Sequence, residues 1–413
     1  MIRSMSTALS GLRNHQTMLD VVGNDIANVS TVGFKSSSTV FSDVLTQTLS
    51  GASAPGATTG GKNPSQIGLG SRLAGTVQSF TQGAIQSTGR TTDLAIQGDG
   101  FFIVENNGQN FYTRAGSFTL DTSGNLTTPD GMLVQGWRTN AAGDIDMNGA
   151  VGEIQIRVGD LLPPSQTNQV NLGGNLSSDS AVGTVQTLTV TAYDEQGASV
   201  PINLSFTKTA AGEWTASATA GQPAVAIALS DANLTFDASG ELLTPADRNI
   251  NIAGGVIPGM TGPVSIDLGG ATEPGRLTQY AGAASASITE QDGYGAGALQ
   301  SFNMAQDGTI VGNYSNGRIR PIGRVALAVF NNPGGLERVV GAWRDTPNSG
   351  LAQIGSAGSG GRGLLSAGTL EMSNVDLAEE FTRMIVAQRG FQGNARVIST
   401  ADEILQEVVN LGR

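Results

Sequence analysis

The sequence predicts a mainly β protein with α-helical termini. The N- and C-terminal helices pair as a coiled coil, a discontinuous β domain lies between them, and a second β domain is inserted into the first. Three observations carry this. Apolar residues recur at intervals of seven near both ends of the chain, which is the period of a coiled-coil seam. The middle breaks into short alternating stretches separated by Gly and Asn turn signals. The composition is turn-rich, with 58 Gly among 413 residues and only 14% charged and 5% aromatic residues, because glycine supplies the positive-φ corners that short strands need.

The first element is the N-terminal helix. Met5, Leu12, Leu19 and Ile26 repeat at seven, and Ile2 and Leu9 fill the second seam position. The helix runs towards Val29 and ends in "NDIANVSTVGFK" (residues 24–35), where Gly33 suits the stop and Phe34 an anchor at the start of the next segment. Asn24 and Asn28 fall opposite the apolar seam, in line with Arg13, Thr17 and Asp20. Asparagine is a poor helix-interior residue because its amide competes for backbone hydrogen bonds. Two readings of this face stand. It is solvated, or its amides meet another protein surface, where each satisfies both donor and acceptor capacity.

Residues 36–70 are rich in Gly, Ser and Thr and read as an extended arm or linker. Residues 71–145 carry "DLAIQGDGFFIV" and "SFTLDTSGNL", a buried strand and a hairpin, with turns at Asn107-Gly108 and Pro129-Asp130-Gly131. Residues 146–283 form a second β block, clearest where "TVTAY" and "INLSF" alternate around Glu195-Gln196-Gly197. From 284 to 369 the flavour of the first block returns, so the middle block reads as an insertion into one discontinuous domain. The C-terminal helix, within residues 370–413, repeats Leu377, Met384, Phe391, Ile398 and Leu405 at seven. Phe381, Ala395 and Val409 are expected in its second seam row, with Gln388 and Asp402 as polar exceptions. Asp376 and Glu379 have the spacing of a capping box, and Gly390 and Gly393 leave room for a close neighbour.

Little chemistry survives inspection. A formal charge of −12 argues against nucleic-acid binding, which needs a basic footprint. There is no cysteine and one histidine, His15, so thiolate and Ser-His-Asp arrangements lack parts. "DIDMNG" at 144–149 matches the opening of a calcium loop, but Gln155 stands where a bidentate carboxylate is required. No phosphate-binding loop occurs. The chain start lacks the apolar core of a cleaved secretory signal, and no apolar run of membrane-spanning length is present. The expectation is a non-enzyme without metal or cofactor, not inserted in a membrane.

Three ordered stretches resemble a known family. "LDVVGNDIANVSTVGFK", "TTDLAIQGDGFFIV…YTRAGSFTLDTSGNL" and "SNVDLAEEFTRMIVAQRGFQGNARVISTADEIL" are similar to the shared signatures of the axial proteins of the bacterial flagellum, its rod and hook subunits. The 146–283 block and "DGTIVGNYSNG" look like the hook branch; the long arm is similar to that of the distal rod. The resemblance implies export through the flagellar type III apparatus without cleavage and self-assembly into a helical tube. The implied neighbours are the distal rod protein, the hook cap and the hook–filament junction proteins. It implies an extracellular location on the flagellum and a flexible joint that carries torque from rod to filament. A secreted β-rich adhesin is the reading from another class.

Overall fold

The computed structural model describes residues 2–55, 60–140, 143–270 and 275–411; residues 56–59 of the expected arm and 271–274 of the expected insertion lie outside them. The chain forms two compact units, residues 1–157, 302–311 and 321–413 in one, and 158–301 with 312–320 in the other.

The first unit begins with helix α1 (Ile2–Ala27) and ends with helix α2 (Leu377–Leu411). The two pack antiparallel along their length. Glycine makes this possible: a Cβ at Gly11 would stand 2.8 Å from the Asn394 amide, and one at Gly390 would stand 2.4 Å from the His15 ring. Asn394 and His15 therefore occupy space that the glycines of the opposite helix leave. His15 lies inside this pair, against Gly390. Half of the predicted capping box forms: Asp376 Oδ1 accepts the N–H groups of Ala378 (2.8 Å) and Glu379 (3.3 Å). Glu379 itself pairs with Arg383 one turn on.

Between the helices, the Gly/Ser/Thr-rich stretch is a long hairpin. Strand β1 (Ser37–Asp43) pairs antiparallel with β4 (Ser71–Gln78), and β2 (Thr46–Ser50) with β3 (Ser65–Gly68). Its return strand runs past residue 70 to Gln78. A bulge at Val40/Phe41 interrupts the ladder, and Val40, Val44, Leu45, Leu49, Ile67 and Val77 are exposed.

The β core of this unit is assembled from both halves of the sequence. Strand Phe101–Asn106 pairs with Gln109–Thr113 through the Asn107-Gly108 turn, and also with Leu327–Val329. Leu94–Gln97 pairs with Leu364–Ala367, and Ile85–Ser87 with Thr369–Glu371. Phe101, Ile103, Tyr112, Trp137, Phe330 and Trp343 fill the interior, with Phe101 edge-on to Trp343 at 5.6 Å and Tyr112 to Phe330 at 4.7 Å. Near 144–149 the chain makes a polar turn in which Asp146 accepts the Asn148 N–H.

The second unit is a sandwich. One sheet is built on Val185–Tyr193, Ser199–Ala210 and Glu213–Ala220, the other on Asn249–Ile252, Val264–Asp267 and Gln169–Asn175. Strict alternation along Ser199–Ala210 turns Ile202, Leu204 and Phe206 inward, onto a core with Trp214, Ile250 and Ile266. The opposite face of the first sheet carries Thr187, Thr189, Asn203, Ser205, Thr215, Ser217 and Thr219, aligned across strands in rows such as Thr187–Ser205–Ser217. Thr187 and Ser205 hydroxyls meet at 3.1 Å, and Thr189 donates to Asn203 at 2.8 Å.

Candidate assembly interface

The expected seam residues differ in burial. Met5, Leu12, Leu19 and Ile26 of α1, and Met384, Phe391, Ile398 and Leu405 of α2, are half-buried; Leu377, at the start of α2, is exposed. The second row of α2 is not the expected one. Phe381 and Val409 point to solvent, while Glu380, Ala387, Asn394 and Ala401 form the inner row, with Ala387 fully buried. Small residues there let the backbones approach, and large ones one position away cannot enter. On α1, Ala8, Asn14, Val22 and Asp25 are buried while Leu9 is exposed; the side chain of Ile2 lies outside the described residues. Asn14 Nδ2 donates to Ser71 Oγ of β4 at 2.8 Å, so α1 serves the arm as well as α2.

The polar face is local in its bonding. Arg13, Asp20 and Asn24 are exposed, Thr17 and Asn28 half-buried. Asn28 Nδ2 donates to the Asn24 carbonyl oxygen (2.8 Å) and to its Oδ1 (3.2 Å), and Thr31 Oγ1 donates to Asn28 Oδ1 at 3.1 Å. The two asparagines therefore close the last turn of α1. Asn24 keeps its side chain at the surface.

Immediately after that turn lies a junction that the sequence did not reveal. Gly33 has φ +68° and donates its N–H to the Glu371 carbonyl at 2.8 Å. A Cβ here would stand 2.5 Å from Ala115 N, a backbone atom. Phe34 is buried beneath the Arg338 guanidinium, 4.5 Å from the ring centroid. Lys35, fully buried, donates to Glu371 Oε1 and to the Thr81 carbonyl, both at 2.7 Å. Glu371 also accepts the Gly83 N–H at 2.9 Å and faces Arg114 Nη1 at 3.4 Å, and Arg114 bonds the Gly98 carbonyl. Asn374 completes the clasp: its Oδ1 accepts the Ser36 N–H and its Nδ2 donates to the Ser79 carbonyl. One buried carboxylate thus ties the exit of α1, the β core and the approach to α2. Burial pushes the Lys35 ammonium below its ordinary value, with Glu371 opposing the shift.

A second acidic site sits at the base of the helix pair. Asp25 Oδ2 accepts the Ser37 N–H at 2.8 Å, and Glu380 Oε1 accepts Arg383 Nη1 at 2.9 Å. Asp25 Oδ1 and Glu380 Oε2 are buried without a hydrogen-bond partner. Burial raises both carboxyls above their usual range. The Ser37 N–H, Arg338 and Arg383 oppose the shift at Asp25, while Arg383 opposes it and Asp25 adds to it at Glu380. Among the described residues no helix is long and apolar enough to cross a membrane.

The comparisons with known proteins follow this layout. Family profiles match residues 5–35 (Flagella basal body rod protein), 95–175 (Flagellar hook protein FlgE/F/G D1 domain), 166–294 (Flagellar basal body protein FlaE D2 domain) and 366–411 (Flagellar basal body rod FlgEFG protein C-terminal). The chain is 37% identical to the flagellar hook protein FlgE of Treponema pallidum, with all of both chains covered. It is 33% identical to the flagellar basal-body rod protein FlgG of Bacillus subtilis, again over the whole of both. A crystal structure of the Helicobacter pylori flagellar hook protein FlgE2 shares the fold, with TM-score 0.55 and 13% identity over 70% of this chain and 100% of that one. Nearly all of α1 and the whole of α2 fall within the matched terminal profiles, the sandwich within the third, and the agreement in order over the full length places this chain in the flagellar hook protein FlgE family of structural hook subunits.

Proposed function

We propose that this chain polymerises into the flexible helical tube of the bacterial flagellar hook and carries torque from rod to filament, without catalysing a reaction. One observation carries the reading: the helix pair cannot cover its own apolar residues. The heptad residues other than Leu377 stay half-buried, and Leu9, Leu377, Phe381, Ile385, Val386, Val397 and Ile404 are exposed. Apolar surface of this extent on two long helices marks an interaction face, and further copies of the same pair supply the missing cover. The seam residues Met5, Leu12, Leu19, Ile26, Leu377, Met384, Phe391, Ile398 and Leu405 serve it, as do Asn24 and Asn28 on the polar face. Gly33 and Phe34 orient the helices against the β core.

In this reading the chain is nested. Residues 1–35 and 370–413 form the helical domain, 36–70 the arm, 71–145 and 284–369 the inner β domain, and 146–283 the inserted outer domain. The arm bridges subunits through its exposed apolar residues. The charge-free rows of Thr, Ser and Asn on the sandwich offer a wet surface with many equivalent hydrogen bonds, over which neighbours exchange partners as the tube bends. The subunit leaves the cell through the flagellar type III apparatus. It meets the distal rod protein, the hook cap and the hook–filament junction proteins. Electron microscopy of tubes grown from purified chain tests this: compliant, curved tubes are expected, straight stiff ones point to the distal rod, and no polymer under any condition contradicts the subunit role.

A further inference from the structure

Three Asn-Gly steps occur in the sequence, at Asn107-Gly108, Asn148-Gly149 and Asn316-Gly317. Such a step can close on itself. The glycine backbone nitrogen attacks the asparagine Cγ, and the missing glycine Cβ leaves the approach open. The attack needs a free side-chain amide, a free glycine N–H and a backbone able to turn. The three steps meet these conditions very unequally.

Asn316 is held at every point. Its Nδ2 donates to the Gly295 carbonyl at 2.8 Å, its Oδ1 accepts the Arg318 N–H at 3.1 Å, and the Gly317 N–H donates to the Tyr314 carbonyl at 3.0 Å. Asn107 sits at φ +53° before Gly108 at +77°, in a two-residue turn closed by the Asn106–Gln109 and Glu105–Asn110 pairs. Turning its backbone means opening that hairpin. Asn148 is exposed in an irregular turn between strands Leu133–Arg138 and Gly152–Glu153. Its backbone N–H bonds Asp146 Oδ1 at 2.9 Å. Neither its side chain nor the Gly149 N–H has a hydrogen-bond partner among the described residues. Beyond its chain neighbours, a Cβ on Gly149 would meet nothing nearer than 3.6 Å, so there is space for a ring.

We propose that Asn148 is a site of spontaneous modification, converting through a succinimide into aspartate and isoaspartate. The Gly149 nitrogen bonds to Cγ, the Cγ–Nδ2 bond breaks, and Nδ2 leaves as ammonia with the Gly149 amide proton. Water then opens the ring. Addition at Cγ restores the ordinary backbone as aspartate. Addition at the Asn148 carbonyl carbon leaves isoaspartate, whose chain runs through Cγ and carries one extra backbone atom. Either product adds a negative charge beside Asp144 and Asp146. Isoaspartate also displaces Gly149, whose carbonyl accepts the Trp137 Nε1–H at 3.2 Å. Trp137 belongs to the aromatic core, against which Ile145 and Val151 of the same loop pack, so a change at an exposed turn reaches the interior.

The test ages the full chain in warm, mildly alkaline buffer, folded and in urea. Mass spectrometry and enzymatic methylation of isoaspartate then map the three steps. In urea all three should convert at similar rates. In the folded chain Asn148 should convert at least about tenfold faster than Asn107 or Asn316, the ratio that a local opening of about 1.4 kcal/mol produces. A folded chain that keeps Asn148 intact while urea converts it overturns the proposal, as does conversion of Asn107 or Asn316 at the same rate. With Trp214→Phe removing the signal of the second unit, tryptophan emission should shift as isoaspartate accumulates. It should not shift in Asn148→Gln, nor in freshly prepared Asn148→Asp, which adds the charge without the extra atom. Unchanged emission in the aged chain overturns the link to Trp137.

Discussion

Glu371 is the residue on which the orientation of the helices depends, and its removal has a magnitude that can be worked from the structure. Its carboxylate is fully buried with Lys35, and Arg114 is nearly so. The three charges sum to one positive charge, held by backbone partners at Thr81, Gly83 and Gly98. Removing one member of a buried ion pair costs about 3–5 kcal/mol, because the partner stays buried without compensation. Lys35→Met keeps the unbranched stem and leaves Glu371 with Arg114 and the Gly83 N–H. It therefore falls at the low end, about 3 kcal/mol. Glu371→Gln leaves two buried cations facing each other and falls at the high end, about 5 kcal/mol.

The pair also predicts a coupling. Once Lys35 is methionine, Glu371→Gln strands one cation instead of two, so the double variant should cost about 1–3 kcal/mol less than the sum of the singles. Urea unfolding followed by tryptophan fluorescence measures this. Trp137 and Trp343 report on the first unit, and Trp214→Phe silences the second. Single effects below about 1 kcal/mol, or strict additivity, would refute the clasp as the energetic link between the two chain ends.

Three other expectations arise from the same junction. Gly33→Ala forces a Cβ to within 2.5 Å of backbone at φ +68° and should cost about 2 kcal/mol or more, read by the same urea assay; a loss under about 0.5 kcal/mol would contradict the close approach. Asn24→Leu with Asn28→Leu should slow or abolish tube growth while the circular dichroism of the β units stays unchanged; normal tubes from that variant would sink the role of the amide face. The raised carboxyls of Asp25 and Glu380 mean that the folded state holds protons the unfolded chain has lost. Their contribution is most favourable below the unfolded values of 3.8 and 4.5, and declines as pH rises through the higher folded values. Asp25→Asn with Glu380→Gln should flatten that decline in thermal stability as pH rises above the unfolded values; an unchanged slope would assign it elsewhere.

The features that the sequence disclosed and those it hid differ for physical reasons. The two terminal helices were legible because large apolar residues repeat locally at helical spacing in each, and the Asn107-Gly108 turn because its residues are the ones that conformation favours. The inner row of α2 was not, because Glu380, Ala387, Asn394 and Ala401 are small or polar; their burial comes from how closely α1 approaches. The arm's strands were hidden for a related reason: β2 and β3 are exposed on both faces, and β1 and β4 are half-buried without a clean alternation, so none shows the pattern that betrays a half-buried strand. The clasp was the least legible. Lys35 and Glu371 are 336 residues apart, and each alone reads as an ordinary surface charge. A lysine directly after a helix-stopping glycine and a buried phenylalanine, in a chain so poor in charge, was the one available hint.

The most direct test of the central claim is gold labelling of isolated flagellar basal bodies with antibody against residues 146–283. The account predicts label along the curved segment outside the cell envelope, on the outer surface of the tube. Label confined to the straight shaft, or absent from the axial structure while the epitope is open in purified chain, would contradict it.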